Sequence, residues 1–170
     1  MEEGDHPGGG FLGRGGEAVS RCMEPLRMVD ISGKGVSHRI AYACGRINLK
    51  RDTVRTIKGG AVDKGDPLAA AQVAGIMAVK KTPDIIPLCH PIPATLIKID
   101  FDVQEDYIEA RCRVEADYKT GVEMEALTGV SAALLTLWDM VKYLEKDEEG
   151  QYPTTSITDI RVLEKRKEEG

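Results

Sequence analysis

Aromatic residues are scarce in this chain of 170 residues, which has one Trp, two Phe and five Tyr. Single-stranded RNA is read largely by stacking its bases on aromatic side chains, so an RNA-binding reading has little to stand on. An excess of positive charge is missing too. Twenty-three basic residues face 28 acidic ones for a net charge of -5, which argues against a general nucleic-acid binder and leaves local basic clusters suited to an anionic small molecule. No apolar run approaches the roughly 20 residues that span a bilayer, and the start of the chain lacks the hydrophobic core of a signal peptide. A cytoplasmic protein with no membrane partner is expected. The four cysteines, Cys22, Cys44, Cys89 and Cys112, form no Cys-x-x-Cys pair. Neither a zinc site nor a disulfide framework is signalled, and no metal ligands are expected.

Seven glycines fall within the first sixteen residues. Residues 1–27 are therefore expected to be a disordered, dispensable Gly-rich tail, with Met23 and Met28 as candidate alternative starts. Residues 28–170 are expected to form a single α+β domain. Its first strand is "SHRIAYACGRINL", Ser37 to Leu49. A short helix from Lys50 to Ile57 follows, closed by Gly59-Gly60. Asp66-Pro67 then supplies an N-cap and a first-turn proline for the alanine-rich "LAAAQVAGIMAVKK", whose small residues let another backbone approach.

Ile97, Ile99, Phe101 and Val103 alternate with charged residues, as do Ile108, Ala110, Cys112, Val114 and Ala116. The two runs predict a hairpin in which Cys112 packs inward. Thr120-Gly121-Val122-Glu123 reads as a capping box with Thr120 at the N-cap, opening a helix to about Glu145. Its apolar stripe includes Leu127, Val130, Leu134, Leu137, Trp138, Val141 and Leu144. One more strand around Ile157, Ile160 and Val162 and a polar tail end the chain. The order predicts an antiparallel sheet with helices packed on one face, a ferredoxin-like arrangement.

Reactive groups outside the core pattern concentrate in four places. "DISGKGVSHR" carries Asp30, Lys34 and Arg39, yet glycines around a lysine equally describe a flexible leading segment. "VDKGDP" places Lys64 before a helix N-terminus, where free N–H groups favour anions, without being a phosphate-cradling motif. "IPLCHPIP" holds Leu88, Cys89 and His90 among three prolines; such stiffness suits a binding loop and a plain connector alike. On the long helix, Asp139 and Lys142 are three apart and so are surface neighbours. They make an ordinary ion pair unless a pocket moves them toward proton transfer. Glu123 has a sufficient structural role in the capping box.

"MVDISGKG", "DKGDP", "IPLCHP", "TGVEMEALTG" and "WDMVK" stand in an order and spacing that resemble the molybdenum cofactor biosynthesis protein C family, the cyclic pyranopterin monophosphate synthases. The likeness runs from about Met28 to about Lys165. It implies a lyase that rearranges 3′,8-cyclo-7,8-dihydro-GTP into cyclic pyranopterin monophosphate with release of pyrophosphate, on the route to molybdopterin. By position, the resemblance implies Asp139, Lys64 and Lys142 as the acid–base groups. It places the substrate against Leu88, Cys89, His90, Glu123, Met124 and Glu125, with Lys34, Arg39 and Lys165 as basic lining. Many family members carry a glycine-rich loop after the lysine that corresponds to Lys165, where this chain has "RKEEG". No cofactor is implied beyond Mg²⁺ accompanying the triphosphate. The family's assembly implies a homo-oligomer, a hexamer built as a trimer of dimers with shared active sites. A silent pterin- or nucleotide-binding module that hands its ligand to a partner is the competing class.

Overall fold

The computed structural model describes residues 25–168; most of the expected tail, residues 1–24, lies outside them. Apolar alternation builds four strands, β1 (Ser37–Asn48), β2 (Leu96–Val103), β3 (Tyr107–Tyr118) and β4 (Ser156–Glu168). They form one sheet in the order β2-β3-β1-β4, and every neighbouring pair is antiparallel. The β2–β3 hairpin closes through the Gln104 N–H, which donates to the Tyr107 carbonyl at 3.0 Å. Helices α1 (Arg51–Lys58), α2 (Pro67–Lys80) and α3 (Thr82–Ile85) connect β1 to β2, and α4 (Glu123–Glu145) connects β3 to β4. These are two interleaved split βαβ units, so the expected ferredoxin-like α+β arrangement is the one observed.

Local chemistry accounts for most boundaries. Asp66 Oδ1 accepts from the Leu68 and Ala69 N–H groups at 2.9 and 3.1 Å, and Pro67 occupies the first turn of α2. The capping box is not formed. The N-cap of α4 is Val122, with no side-chain cap, and the Glu123 carboxylate instead accepts from Lys165 Nζ at 2.9 Å. A full positive charge on the neighbouring strand competes better for a carboxylate than a neutral main-chain N–H does. The expected last strand runs well past Val162 into the polar end of the chain: β4 continues to Glu168, paired with His38. Main-chain pairing needs no apolar side chains, and charged residues are common on an edge strand.

By length and composition alone α4 is apolar enough to cross a membrane, which corrects the expectation that no segment approaches that length. Val130, Leu134, Leu137 and Val141 on it are fully buried in the core. Cys112 is buried as its parity requires, and burial pushes its thiol up to about 12. The outer sheet face is a lattice of charges in which Glu109 accepts from Arg46 Nε at 2.9 Å and Arg111 Nε at 2.7 Å.

Helices α2 and α4 meet backbone to backbone. A Cβ on Gly75 would lie 2.9 Å from the Gly129 carbonyl oxygen, and one on Gly129 would lie 2.7 Å from Val79 Cγ2 and 3.0 Å from Cys112 Sγ. The carbonyl belongs to a helix and cannot move aside alone. Gly75→Val is therefore expected to cost about 3 kcal/mol by overpacking, lowering the melting temperature by roughly 10 °C. Calorimetry of the purified variant checks this, and an unchanged melting temperature would show that the helices can separate freely.

A candidate active site divided between the two ends of α4

Asp139 lies toward the C-terminal end of α4, exposed and held between two ammonium groups. Lys142 Nζ is 2.7 Å from its Oδ1. Lys64, from the α1–α2 connection, reaches its Oδ2 at 3.1 Å and its main-chain carbonyl at 2.8 Å. The hydrogen bond from Lys142, followed by that from Lys64, holds the Asp139 carboxyl below its ordinary value. Asp139 in turn raises Lys142. The three residues singled out for acid–base chemistry thus converge, although Lys64 and Asp139 are 75 positions apart. This is a carboxylate that can accept a proton, beside ammonium groups that can donate one.

The other group of residues gathers where α4 begins. A cavity of about 470 Å³ lies between the proline loop and the start of the helix, lined by Leu88, Cys89, His90, Glu123, Met124 and Glu125, with Val29 and Ile31 across from them. Glu125 is only 2% exposed. Burial pushes its carboxyl up, with a smaller push from Glu123 and opposition from a backbone N–H. A carboxyl raised in this way takes up a proton more readily than a free one, and a group that can both hold and release a proton suits the edge of a polar heterocycle. Burial, and then the nearby Glu125, also raise the Cys89 thiol; its chemistry here is that of a neutral packing group and not of a thiolate. His90 Nε2 is 2.9 Å from the Val29 carbonyl. A carbonyl only accepts, so Nε2 carries the hydrogen.

Alongside lies a basic cavity of about 420 Å³ that shares Lys34, Thr120, Gly121 and Glu123 with the first and adds Arg39, Lys119 and Lys165. For Glu123, burial acts to raise the carboxyl, but Lys165, a backbone N–H and Arg39 together hold it below its usual value. The partial match of "KRKEEG" to the family pattern left Lys165 poorly placed by sequence; pairing of β4 with β1 sets it opposite Ala41 and beside Glu123. Asp30 is not aimed at either cavity, because its carboxylate accepts from the Ser32 N–H at 2.8 Å and shapes a turn. Lys119 was missed. It donates to the Ser32 carbonyl at 2.8 Å, and its position just before "TGVEME" is the signal that would have found it. Among the described residues, no group of three or more His, Cys, Asp or Glu is placed to hold a metal ion.

The two groups do not meet within one chain. Fourteen positions on α4 separate Glu125 from Asp139, which at 1.5 Å per residue is about 21 Å along the axis.

A model of the MoaC family matches residues 28–168. A protein of Pyrococcus furiosus named probable cyclic pyranopterin monophosphate synthase is 64% identical over 144 residues, covering 85% of this chain and 92% of that protein. A protein of the same name from Archaeoglobus fulgidus is 58% identical over 142 residues, covering 84% and 91%. A Methanothermobacter thermautotrophicus protein, 56% identical over 84% of this chain and 89% of its own length, is named a probable cyclic pyranopterin monophosphate synthase accessory protein.

Proposed function

The chain belongs to the MoaC family, and from that premise we propose that it is a lyase of molybdenum cofactor biosynthesis. It converts 3′,8-cyclo-7,8-dihydro-GTP into cyclic pyranopterin monophosphate and releases pyrophosphate. The observation that carries this reading is the complementary chemistry at the two ends of α4. One end offers a half-apolar cavity with a buried carboxyl, continuous with a basic cavity; the other offers a carboxylate between two lysines. A base-like ring and a triphosphate fit the first, and proton transfer needs the second.

In this reading Glu125, Met124, Leu88 and Cys89 hold the ring system, and His90 borders it from the proline loop. Lys34, Arg39 and Lys165 hold the phosphates and stabilise the charge that develops as pyrophosphate leaves. Glu123 keeps Lys165 in place until the phosphates take over that ammonium. Asp139 accepts protons while Lys64 and Lys142 donate them as the ring opens and recloses. No electron changes hands in this rearrangement, so no resident redox cofactor is proposed; a Mg²⁺ would act through the triphosphate oxygens.

Both groups serve one substrate only if two chains share the pocket, one contributing the start of α4 and the other Asp139 with its lysines. The separation along the helix supports a homo-oligomer built from two-fold pairs, and a trimer of such pairs makes a hexamer. A cytoplasmic location accords with a soluble intermediate as substrate.

Incubating the purified protein with the cyclic GTP intermediate tests the activity: cyclic pyranopterin monophosphate and one pyrophosphate per turnover are expected. The accessory name carried by the Methanothermobacter relative favours a second reading, a module that binds and hands on the ligand. Stoichiometric binding without turnover would establish that reading and sink the lyase.

A further inference from the structure

Lys64 sits on an irregular connection between α1 and α2 in which Gly60 and Gly65 adopt φ of 65° and 97°. Lys64 lies in a turn closed by the Gly65 N–H on the Val62 carbonyl at 3.0 Å, and its long, flexible side chain must still be ordered before its ammonium can settle on Asp139. The residue before it is gripped. The Asp63 N–H donates to Tyr143 Oη at 3.0 Å, and Val62, one position earlier, is buried. Tyr143 follows Asp139 by four residues on α4, so the two side chains share a face one turn apart. The helix therefore offers adjacent grips to adjacent residues. The hydroxyl takes the Asp63 amide, and the Asp139 carbonyl and Oδ2 take the Lys64 ammonium at 2.8 and 3.1 Å.

We propose that Tyr143 is a positioning residue of the active site, whose hydroxyl fixes the Asp63 peptide and thereby aims Lys64 at Asp139. Its hydroxyl accepts from the Asp63 N–H, so it acts on the site through the residue next to Asp63, Lys64. The proposal rests on the reading that Lys64 and Asp139 carry the proton transfers. A mere loop staple would stabilise the chain without setting the state of Asp139.

Tyr143→Phe in the full chain separates these roles, because it keeps the ring and deletes only the hydroxyl; Asp63 is exposed, so its freed N–H can bond water. A fall in kcat of about fivefold, the weight of one ordinary hydrogen bond, is expected with KM unchanged. Titration of the Asp139 carboxyl by ¹³C NMR supplies a readout independent of turnover. The charged groups facing it are Lys142 on α4 and Lys64 on the connection, with Tyr152 of the α4–β4 loop acting on Lys142. Loosening Lys64 removes one of the two cations that favour the ionised form, so the midpoint is expected to move upward in Tyr143→Phe. No further upward movement is expected when the same change is made in a Lys64→Ala background. An unmoved midpoint in Tyr143→Phe would overturn the proposal, as would an equal shift with and without Lys64. If the unaltered protein fails to turn over the cyclic intermediate, the lyase reading falls, while the NMR comparison still decides whether Tyr143 aims Lys64.

Discussion

Asp139→Asn is expected to fold normally and to lose turnover by about 10²- to 10⁴-fold, the usual contribution of a positioned acid–base group. The side chain is exposed and its bonds run to Lys64 and Lys142 at the surface. Exposed ion pairs contribute little to stability, so the melting temperature should barely move. The chemistry should suffer far more. Asparagine matches the shape of aspartate but accepts no proton, and it leaves two ammonium groups side by side without their counter-charge. The loss should appear in kcat and in kcat/KM alike, because the interaction is made in the reacting state. The sign of the pH dependence follows from the same geometry. The lysines hold the Asp139 carboxyl below its ordinary value, so a rate that needs it ionised persists across neutral pH and falls only as pH drops through that lowered value. Near-normal turnover in Asp139→Asn, measured by pyrophosphate release, would remove this carboxylate from the chemistry.

Mixing two inactive proteins is expected to restore activity. Glu125→Gln removes the ionisable carboxyl at one end of α4, and Asp139→Asn disables the other, about 21 Å away along the axis. In a two-fold pair with shared pockets, a mixed pair has one pocket carrying both substitutions and one carrying neither. Random re-pairing makes half of the pairs mixed, so roughly a quarter of all pockets regain the unaltered set. The measurement is pyrophosphate release after subunit exchange, with mass spectrometry to count mixed pairs. Activity that stays at background despite abundant mixed pairs would place the whole site within one chain, and the α4 geometry would then need a different explanation. Gln at position 125 keeps the size of the side chain in a site that is 2% exposed, so failure to fold is not the expected cause of inactivity.

Periods and caps in the sequence were enough to place most elements. Alternation from Ile97 to Val103 and from Ile108 to Ala116 located β2 and β3, and Asp66-Pro67 located the start of α2. These signals work because each depends on groups within a few positions of one another. The reading failed where a distant group competed. Glu123 was assigned to Thr120 three positions away, but Lys165, 42 positions on, holds it. Polar composition left the end of the last strand undefined in "SITDIRVLEKRKEEG", and β1 supplies the main-chain partners that carry it to Glu168.

The candidate site shows the same division. The ordered motifs from "DKGDP" to "WDMVK", through the family they resemble, singled out Lys64, His90, Glu125, Asp139 and Lys142 as candidates, whereas residue types alone left each of them an ordinary structural reading. What the sequence by itself determined was therefore the elements, the core faces and the list of reactive groups. Only tertiary structure decided their grouping, Lys64 with Asp139 across 75 positions and Tyr143 under the neighbouring Asp63 amide across 80, whereas the distance between Glu125 and Asp139 follows from their spacing on one helix. A rigid helix converts a separation in sequence into a fixed distance in space, whereas loop closure brings remote residues together through the packing of the whole core. The first can be computed from spacing alone; the second exists only once the sheet and its helices have closed around one another.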